Sequence, residues 1–417
     1  MKRLCLWAAL TLSVVGATCA RSQDYKFDTT ISRAVLENYL ARSISFTELL
    51  HDDLNQSPNR HGVDPRDNLR LLLDSHAKFV GRALMLWGRE TNLNRFLQTA
   101  RPFAARLHQA DPEMILQAAE FEIVTTNVEG ISVPDWVFTE FGQPAASRPF
   151  RYAEMLYPDG RFVNHWGNGS SVPDMSRLET RMWFYFLARN YIDVGIEAIH
   201  FGQVGLMDKN DSGHAGWIDM LSRVRSYADN HARRHLVLCD AHAPTGGFVE
   251  GGKLLFDFHS FPLRIAESPD HPGEGFLKVG YLDSIYNRSK GGVAPSGWTC
   301  EHLPYLVEFD NFGRSRRPGQ PNPPDKPSIF CWGYDEITWF ALREKAYRSN
   351  WLEYAWNWLR QTDTNGHLEM PGSRVASAAN LRWYSANDPG PAAPAGFGDE
   401  AAIRAVWKND AAASAQK

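Results

Sequence analysis

The sequence predicts an α/β protein folded as one (β/α)8 TIM-type barrel, with long loops over the C-terminal face of the barrel. Short apolar or β-branched runs alternate with stretches that have the apolar spacing of helices, which is typical of βαβ units and a parallel sheet. So many units in one chain favour a closed barrel over an open sheet. The length of 417 residues allows two or three domains but also suits a single barrel.

The N-terminal residues have the layout of a secretory signal peptide. Two basic residues are followed by an apolar stretch at 4–15 and by small residues through Ala20. We expect residues 1–22 to be removed by cleavage near Ala20 or Ser22, which predicts a secreted or periplasmic protein. Acylation of Cys19 is the alternative. No later run approaches the ~18 apolar residues that a membrane span needs, so no membrane span is expected.

The elements that follow are predicted from periodicity. Residues 23–75 form an N-terminal helical segment, with helical spacing at 31–50 and 64–74. The barrel is expected at residues 76–385 and begins with a strand at 79–87. Six further strands are expected at 115–125, 196–204, 235–242, 254–261, 305–312 and 330–338. The eighth strand is expected at 150–157 or at 276–282. Helices are expected at 178–194, 217–232 and 343–360.

Connections and the C-terminus show different compositions. Residues 127–176 and 266–304 are long, rich in Gly, Pro and aromatics, and are expected to lie over the barrel mouth as functional loops. The connection at 242–254 is too short for a full helix, which predicts a local irregularity. Residues 386–417 are expected to be a mostly disordered tail, with one short helix near 400–408.

Charge, cysteine and aromatic content narrow the function. The net charge is −4, with 44 basic and 48 acidic residues and no basic block, so no nucleic-acid partner is expected. The three cysteines beyond the signal lack metal-ligand spacing, and no metal or cofactor is expected, although a Cys300–Cys331 disulfide is possible. Aromatic residues make up 12% of the chain and include 14 tryptophans. Such enrichment favours a carbohydrate ligand, because aromatic faces stack on sugar rings.

Polar residues at the ends of the predicted strands are the candidate site, because the active sites of such barrels lie at the C-terminal ends of the strands. Strand side chains alternate, so several of these residues are expected to share the inner face of the barrel mouth. The candidate substrate-binding residues are Trp87, Glu120, His200, Gln203, His242, Asp257, His259, Asp310, Asn311, Trp332, Asp335 and Glu336.

Three carboxylates are the candidate catalytic residues. Cleavage of a glycosidic bond needs one carboxyl group to protonate the leaving oxygen and a second to attack the anomeric carbon or activate water. We predict Glu308 as nucleophile or base, because it ends a strand and has a polar neighbour on the same face. Asp240 is the preferred acid, and Glu122 is the next candidate.

With these strand-end carboxylates, the chain resembles the superfamily of (β/α)8-barrel glycoside hydrolases in general plan, over roughly residues 79–374. In the main retaining clan of that superfamily, an acid/base Glu follows an Asn at the end of strand four, and a nucleophilic Glu ends strand seven. Glu308 corresponds to the second position. The chain departs at the first, where it has Gln203 or Asp240 and no Asn-Glu pair, so a retaining mechanism is left open.

Two alternatives remain at the level of sequence. Two Asp-x-His pairs, Asp240 with His242 and Asp257 with His259, together with His200 could hold a divalent metal in a barrel hydrolase or isomerase. A non-catalytic carbohydrate-binding barrel is the second alternative, in which the carboxylates only accept hydrogen bonds. The sugar, the linkage and the oligomeric state are not predicted.

Overall fold

The structure, a computed structural model, describes residues 24–414. The predicted signal peptide lies outside the described residues. The chain forms an α/β protein whose main feature is a large, curled and mostly parallel sheet of ten strands. Its strands are β1 Ser43–Phe46, β2 Phe79–Met85, β3 Ile115–Ala119, β4 Ala198–His200, β5 Leu238–Ala241, β6 Phe258–Pro262, β7 Tyr305–Glu308, β8 Gly366–Leu368, β9 Met370–Ala378 and β10 Leu381–Ser385.

The strand order is β8-β7-β6-β5-β4-β3-β2-β1-β9-β10, and only the β9–β10 pair is antiparallel. Glu369 alone separates β8 from β9 in the chain, and its backbone N–H donates to the Val307 carbonyl at 2.9 Å. One continuous run, residues 366–378, therefore pairs with β7 through its first half and with β1 through its second.

Helices connect many of the strands and cover the outer face of the sheet. They are α1 Arg33–Leu40, α2 Pro65–Ser75, α3 Leu93–Ala110, α4 Asp135–Glu140, α5 Tyr152–Met155, α6 Leu178–Ile192, α7 Val204–Met207, α8 Ala215–His231, α9 Glu336–Ala341, α10 Lys345–Thr362 and α11 Glu400–Ser414. Local chemistry explains where they begin: α2 has Pro65 at its first position, and the Asp64 side chain caps it by accepting from the Arg66 N–H at 2.8 Å. The helices predicted at 178–194, 217–232 and 343–360 are confirmed.

Short antiparallel pairs replace helices on one side of the sheet. Within the described residues, no helix lies between β5 and β6 or between β6 and β7. A four-stranded sheet of two-residue strands stands there instead, formed by Val249–Glu250, Lys253–Leu254, Gly292–Val293 and Thr299–Cys300. Ala266–Glu267 pairs with Gly275–Phe276, and Val124–Thr125 pairs with Ser170–Ser171 elsewhere. The irregularity predicted at 242–254 is therefore present.

Six strands of the sheet correspond to predicted strands, but β1, β8, β9 and β10 were missed. β1 lies inside the helix predicted at 31–50, because α1 ends at Leu40 and residues 43–46 extend between β2 and β9. The apolar spacing was misleading because β1 contains a buried polar residue, Ser43. Its hydroxyl donates to Glu369 Oε1 at 3.1 Å, and this partner could not be foreseen from the spacing. The run at 366–378 was missed because Pro371 and Gly372 suggest a turn.

The strand predicted at 330–338 and both alternatives for the eighth strand are wrong. Residues 330–338 contain a turn, with Trp332 at φ +51° and Gly333 at φ +77°, and then the start of α9. Residues 150–157 contain α5, and 276–282 contain only the end of a two-residue strand. The possible Cys300–Cys331 disulfide is also absent, since both residues are free thiols.

The C-terminal region is ordered further than predicted. β10 and the chain after it contact the body of the protein, and Arg348 of α10 binds Asp399 through two hydrogen bonds, of 2.8 and 3.1 Å. The helix predicted near 400–408 is confirmed as the first part of α11, which buries Ile403, Val406 and Trp407. Burial of these three side chains explains why this part of the tail folds. Among the described residues, no helix is long and apolar enough to cross a membrane.

Candidate functional site

Glu308, the last residue of β7, is the centre of the polar cluster at the carboxyl ends of the parallel strands. Its Oε2 accepts a hydrogen bond from Arg374 Nη1 of β9 at 2.8 Å, and its Oε1 pairs with Arg82 Nη2 of β2. His242, which follows β5, places its Nε2 3.1 Å from the same Oε1. Glu308 is 1% exposed. Four strands that are distant in sequence therefore converge on one carboxylate.

The charges around Glu308 determine its ionisation. Burial by itself would raise the pKa of the carboxyl, but the positive charges of Arg82 and Arg374 and the hydrogen bond from His242 hold it well below its ordinary value. Glu308 is therefore a carboxylate at neutral pH. Two guanidinium groups and one imidazole orient it, so its geometry is fixed before any ligand arrives.

Asp310 and Asn311 lie next to this cluster, as predicted. Arg374 Nη2 donates to Asn311 Oδ1 at 3.0 Å and lies 3.4 Å from Asp310 Oδ1. Both residues are half-buried, so they are closer to solvent than Glu308. One arginine thus connects the deep carboxylate with polar groups at the rim.

Asp240 is also buried, and both of its oxygens already have hydrogen-bond partners. Oδ1 accepts from Gln117 Nε2 at 2.7 Å, and Oδ2 accepts from Ser260 Oγ at 2.6 Å and lies 2.7 Å from His200 Nδ1. Its exposed fraction is 0%. Asp240 and His242 share the inner face, as predicted, but Asp240 is placed to orient His200, whose pKa burial lowers.

Glu122 lies at the mouth beside β4. Its carboxylate accepts from the backbone N–H of Gln203 at 2.7 Å and from the Gln203 side-chain amide at 2.9 Å. A Cβ atom at Gly202, which has φ +61°, would lie 2.0 Å from Glu122 Oε2, so the glycine makes room for the carboxylate. The structure therefore joins Glu122 and Gln203, two residues predicted for the site.

A group of aromatic rings lies next to Glu122. Trp166 Nε1 donates to the Glu122 carbonyl at 2.9 Å, and the Trp166 ring centroid lies 5.5 Å from that of Trp87. Trp87 also contacts Phe121 edge to face at 5.1 Å, and the Arg82 guanidinium lies 5.1 Å from the Phe121 centroid. The aromatic group and the charged cluster of Glu308 are thus continuous.

Glu120 does not lie at the mouth, contrary to the prediction. Its carboxyl group is buried against Trp183, Leu187 and Tyr191 of α6, and neither oxygen has a hydrogen-bond partner among the described residues. Alternation fails here because β3 ends at Ala119 and the chain then bends, with the Ile123 N–H donating to the Phe121 carbonyl at 2.7 Å. Phe121 consequently faces inward, next to Arg82 and His200.

Asp257 and His259 share a face, but it is the outer face of β6. Ser260, the residue after His259, faces inward instead and donates to Asp240. Asp257 Oδ2 accepts from the Cys239 N–H at 2.9 Å and from Arg225 Nη2 of α8 at 3.1 Å. His259 is buried beneath Gly247, and burial lowers its pKa to about 4. The prediction that both line the inner mouth is therefore wrong.

The three candidates after residue 330 have contacts that hold loops in place. Asp335 caps α9 by accepting from the Thr338 N–H at 2.9 Å. Glu336 accepts from the backbone N–H groups of Leu263, Arg264 and Asp310 at 3.0, 2.7 and 3.2 Å. Trp332 Nε1 donates to the Glu274 carbonyl at 2.7 Å. Glu336 thus connects the ends of β6 and β7, and Trp332 packs on the 266–276 hairpin.

The residues considered as metal ligands lie on two different faces of the sheet. Asp240 and His242 face inward whereas Asp257 and His259 face outward, so the two Asp-x-His pairs do not converge. Across residues 24–414, no group of three or more His, Cys, Asp or Glu side chains is arranged to hold a metal ion.

Arg82, Arg374, Gln117 and Trp166 are site residues that sequence reasoning missed. Arg82 left a signal, because it is the one charged residue in the strand predicted at 79–87. A charge in a buried strand needs a partner of opposite charge. Arg374 left no comparable signal, since its strand was not predicted.

Comparisons with known proteins identify no family for this chain. No protein-family model matches the chain, and no curated protein matches it. A solved structure of the glycoside hydrolase domain of PelA from Pseudomonas aeruginosa aligns at 12% identity with a TM-score of 0.26, covering 59% of this chain and 81% of that chain. A variant of the same domain aligns at 11% identity with a TM-score of 0.26, covering 58% and 80%. The function has to be argued from the site itself.

Proposed function

We propose that this chain is an exported enzyme that hydrolyses glycosidic bonds in an oligo- or polysaccharide, with Glu308 and Glu122 as its two working carboxyl groups. The observation that carries the proposal is the contrast between them. Glu308 is held ionised by two arginines and a histidine, whereas Glu122 has no cationic hydrogen-bond partner among the described residues, and its backbone carbonyl accepts from Trp166. Two carboxyl groups in different environments are what acid and base roles need.

The proposal includes a closed eight-stranded (β/α)8 barrel. If the run at 366–378 is counted as one strand, it pairs with both β7 and β1, which supports a ring of eight parallel strands. Contacts between distant strands support closure: the rings of Phe79 of β2 and Phe258 of β6 meet edge to face at 5.7 Å, and Arg82 of β2 reaches Glu308 of β7. In such a ring, the Glu308 cluster lies at the C-terminal mouth, where barrel enzymes bind substrate.

Glu308 acts as the nucleophile or the base. A carboxylate that is ionised at neutral pH can attack the anomeric carbon or remove a proton from water. The guanidinium groups of Arg82 and Arg374 fix its orientation, so little reorganisation is needed during the reaction. Asp310 and Asn311, at the rim, accept hydrogen bonds from sugar hydroxyls.

Glu122 acts as the proton donor, in place of Asp240. Asp240 has three hydrogen-bond partners that occupy both of its oxygens, so it is poorly placed to protonate a leaving oxygen. Among residues 24–414, the Glu122 carboxyl group accepts hydrogen bonds only from Gln203, and the exposed Gln203 side chain can move when a ligand binds. Asp240 then serves as a positioning residue for His200.

Screening for hydrolysis tests this proposal. The purified chain is incubated with single soluble polysaccharides, namely mixed-linkage glucan, xylan, galactomannan, alginate, pectate and chitosan, and new reducing ends are measured. We expect release from at least one of them. Glu308→Gln and Glu122→Gln should each lose ~10³-fold of the rate. Asp240→Asn should lose much less per folded molecule.

The outcomes separate this proposal from a binding protein. Polysaccharide binding without any release of reducing ends contradicts hydrolysis and favours the non-catalytic barrel. Release that is unchanged in Glu122→Gln removes the acid role from that residue. Export is checked separately, by N-terminal sequencing of the protein recovered from a secreting host, where a start near residue 23 is expected.

A further inference from the structure

Three neighbouring rings form an aromatic rim beside the candidate site. The rim consists of Trp87, Trp166 and His165, whose centroids are separated by 5.5 Å from Trp87 to Trp166 and by 4.5 Å from Trp166 to His165. Trp87 is 40% exposed, Trp166 is half-buried and His165 is exposed. Val163, 42% exposed, lies in the same loop. Large exposed side chains gathered in one place indicate a binding surface, whereas scattered ones do not.

Hydrogen bonds within and next to the loop hold the aromatic rim in place. Trp166 donates from Nε1 to the Glu122 carbonyl at 2.9 Å, and its backbone N–H donates to the Ser170 carbonyl at 3.1 Å. The Asn164 side chain accepts from the Gly169 N–H at 2.8 Å, which closes the loop on itself. Trp87 has a left-handed backbone, with φ +40°, a conformation that a bulky residue adopts at a cost.

Strain and exposure at Trp87 need an explanation other than core packing. A buried position would satisfy this side chain better, because burying a large aromatic ring is favourable. The strained backbone instead keeps the ring at the surface, next to Trp166. The planes of the two rings are tilted by 59°, and their apolar faces are available to a ligand that is itself partly apolar.

We propose that the aromatic rim binds sugar units of the substrate beyond the bond that is cleaved, so that the substrate is a saccharide chain of several units. This inference rests on the proposed function. Sugar rings present C–H faces that pack on aromatic rings, while their hydroxyls bind polar groups nearby. The exposed amide of Gln203, which holds Glu122, supplies such a group next to the rim.

The aromatic rim is directly connected to Glu122 and to its neighbour Phe121. Trp166 binds the backbone of Glu122, and Trp87 contacts Phe121. A chain lying on Trp87 and Trp166 would therefore pass beside the proposed proton donor. Units bound on the rim would hold the scissile bond in position, which is how remote binding raises the rate of a reaction.

Affinity electrophoresis tests the rim without requiring turnover. The Glu308→Gln variant is run through native gels that each contain one of the six polysaccharides named above, with and without the further change Trp87→Ala or Trp166→Ala. We expect retardation in at least one gel, and each tryptophan change should weaken the apparent affinity by ~10-fold, equivalent to ~1.4 kcal/mol.

Trp298→Ala is the matched control. Trp298 is also half-buried and also donates from Nε1 to a backbone carbonyl, that of Ile31 at 3.0 Å. Its packing on the cluster that contains Phe79 and Leu306 places it away from the mouth. We expect this variant to be retarded like its parent. The conservative change Trp87→Phe should keep most of the affinity, which separates ring stacking from misfolding.

The results for the rim and for hydrolysis are distinguishable. Retardation that the rim variants do not reduce, or that Trp298→Ala reduces equally, overturns the rim proposal, as does a protein that no gel retards. Retardation that depends on Trp87 and Trp166 supports it even where the unmodified chain releases no reducing ends. That combination contradicts the catalytic function alone.

Discussion

Arg374 and Glu308 form an ion pair of 2.8 Å from which solvent is almost entirely excluded, since their exposed fractions are 0% and 1%. Removing one partner of a buried pair leaves the other charge uncompensated, which is strongly destabilising. The pair therefore contributes both to the fold, by joining β7 with β9, and to the ionisation of Glu308.

The first prediction concerns Arg374→Met. Loss of the guanidinium should raise the pKa of Glu308, because one of the two positive charges that lower it is gone. The acidic limb of the pH–rate profile should then move to higher pH, and the free energy of unfolding should fall by ~3–5 kcal/mol. Kinetics across pH and urea denaturation measure the two effects. An unmoved acidic limb would mean that Glu308 is not the group seen in that limb.

The second prediction concerns Glu369, which is buried and accepts from Ser43 Oγ at 3.1 Å. Burial and the negative charge of Glu308 raise its pKa from 4.5 to about 8. Between these values the folded state keeps a proton that the unfolded state has lost, so stability falls as pH rises from about 4.5 to 8. Glu369→Gln should remove that part of the slope of unfolding free energy against pH. An identical slope in both proteins contradicts the assignment.

The third prediction concerns Glu120, whose carboxyl oxygens are buried without a partner among the described residues. Burial raises its pKa well above the ordinary value, so the group is protonated, and its unmet hydrogen bonds cost stability. Glu120→Met should raise the free energy of unfolding by ~1–3 kcal/mol and leave the hydrolytic rate unchanged. A large loss of rate in a stable variant would return Glu120 to the site.

The fourth prediction separates Asp240 from Glu122. Asparagine at position 240 can keep one accepting oxygen but cannot accept at both, so at least one of the contacts with Gln117, Ser260 and His200 is lost. Asp240→Asn should therefore lower the free energy of unfolding by ~1–3 kcal/mol. Its rate per folded molecule should fall far less than that of Glu122→Gln. Equal losses of rate would assign Asp240 a direct chemical part.

How far the sequence predicts this fold depends on where side-chain alternation holds. Six strands of the main sheet are marked by apolar runs, and Glu308 was found because its strand ends in polar residues. Alternation fails where a strand ends early, as at Glu120, and cannot say which face is inner, as at Asp257. β1 and the run at 366–378 were missed because they contain polar or turn-forming residues, Ser43 and Gly372 among them. The partners of these residues, Glu369 for Ser43 and Phe46 for Gly372, come near only in the folded structure.

The candidate site was predictable only in part, for the same reason. Glu308 is brought together with His242 and, through Arg374, with Asp310 and Asn311, and Glu122 is brought together with Gln203. Arg82 and Arg374, which hold Glu308 ionised, come from strands on its other side. A single sequence shows neither the pairing of β9 with β1 nor the position of Arg374 opposite β7. The convergence of Arg82 and Arg374 on Glu308 therefore could not be predicted.

The most direct test compares Glu308→Gln with Glu197→Gln. Glu197 is also 1% exposed and is also bound by two arginines, with Arg233 Nη2 at 2.6 Å and Arg234 Nε at 2.8 Å, but it precedes β4, at the opposite end of the sheet. We predict that both variants lose stability, whereas only Glu308→Gln loses ~10³-fold of the hydrolytic rate per folded molecule. Equal rates in the two variants would show that Glu308 is a structural ion-pair partner and would contradict its catalytic role.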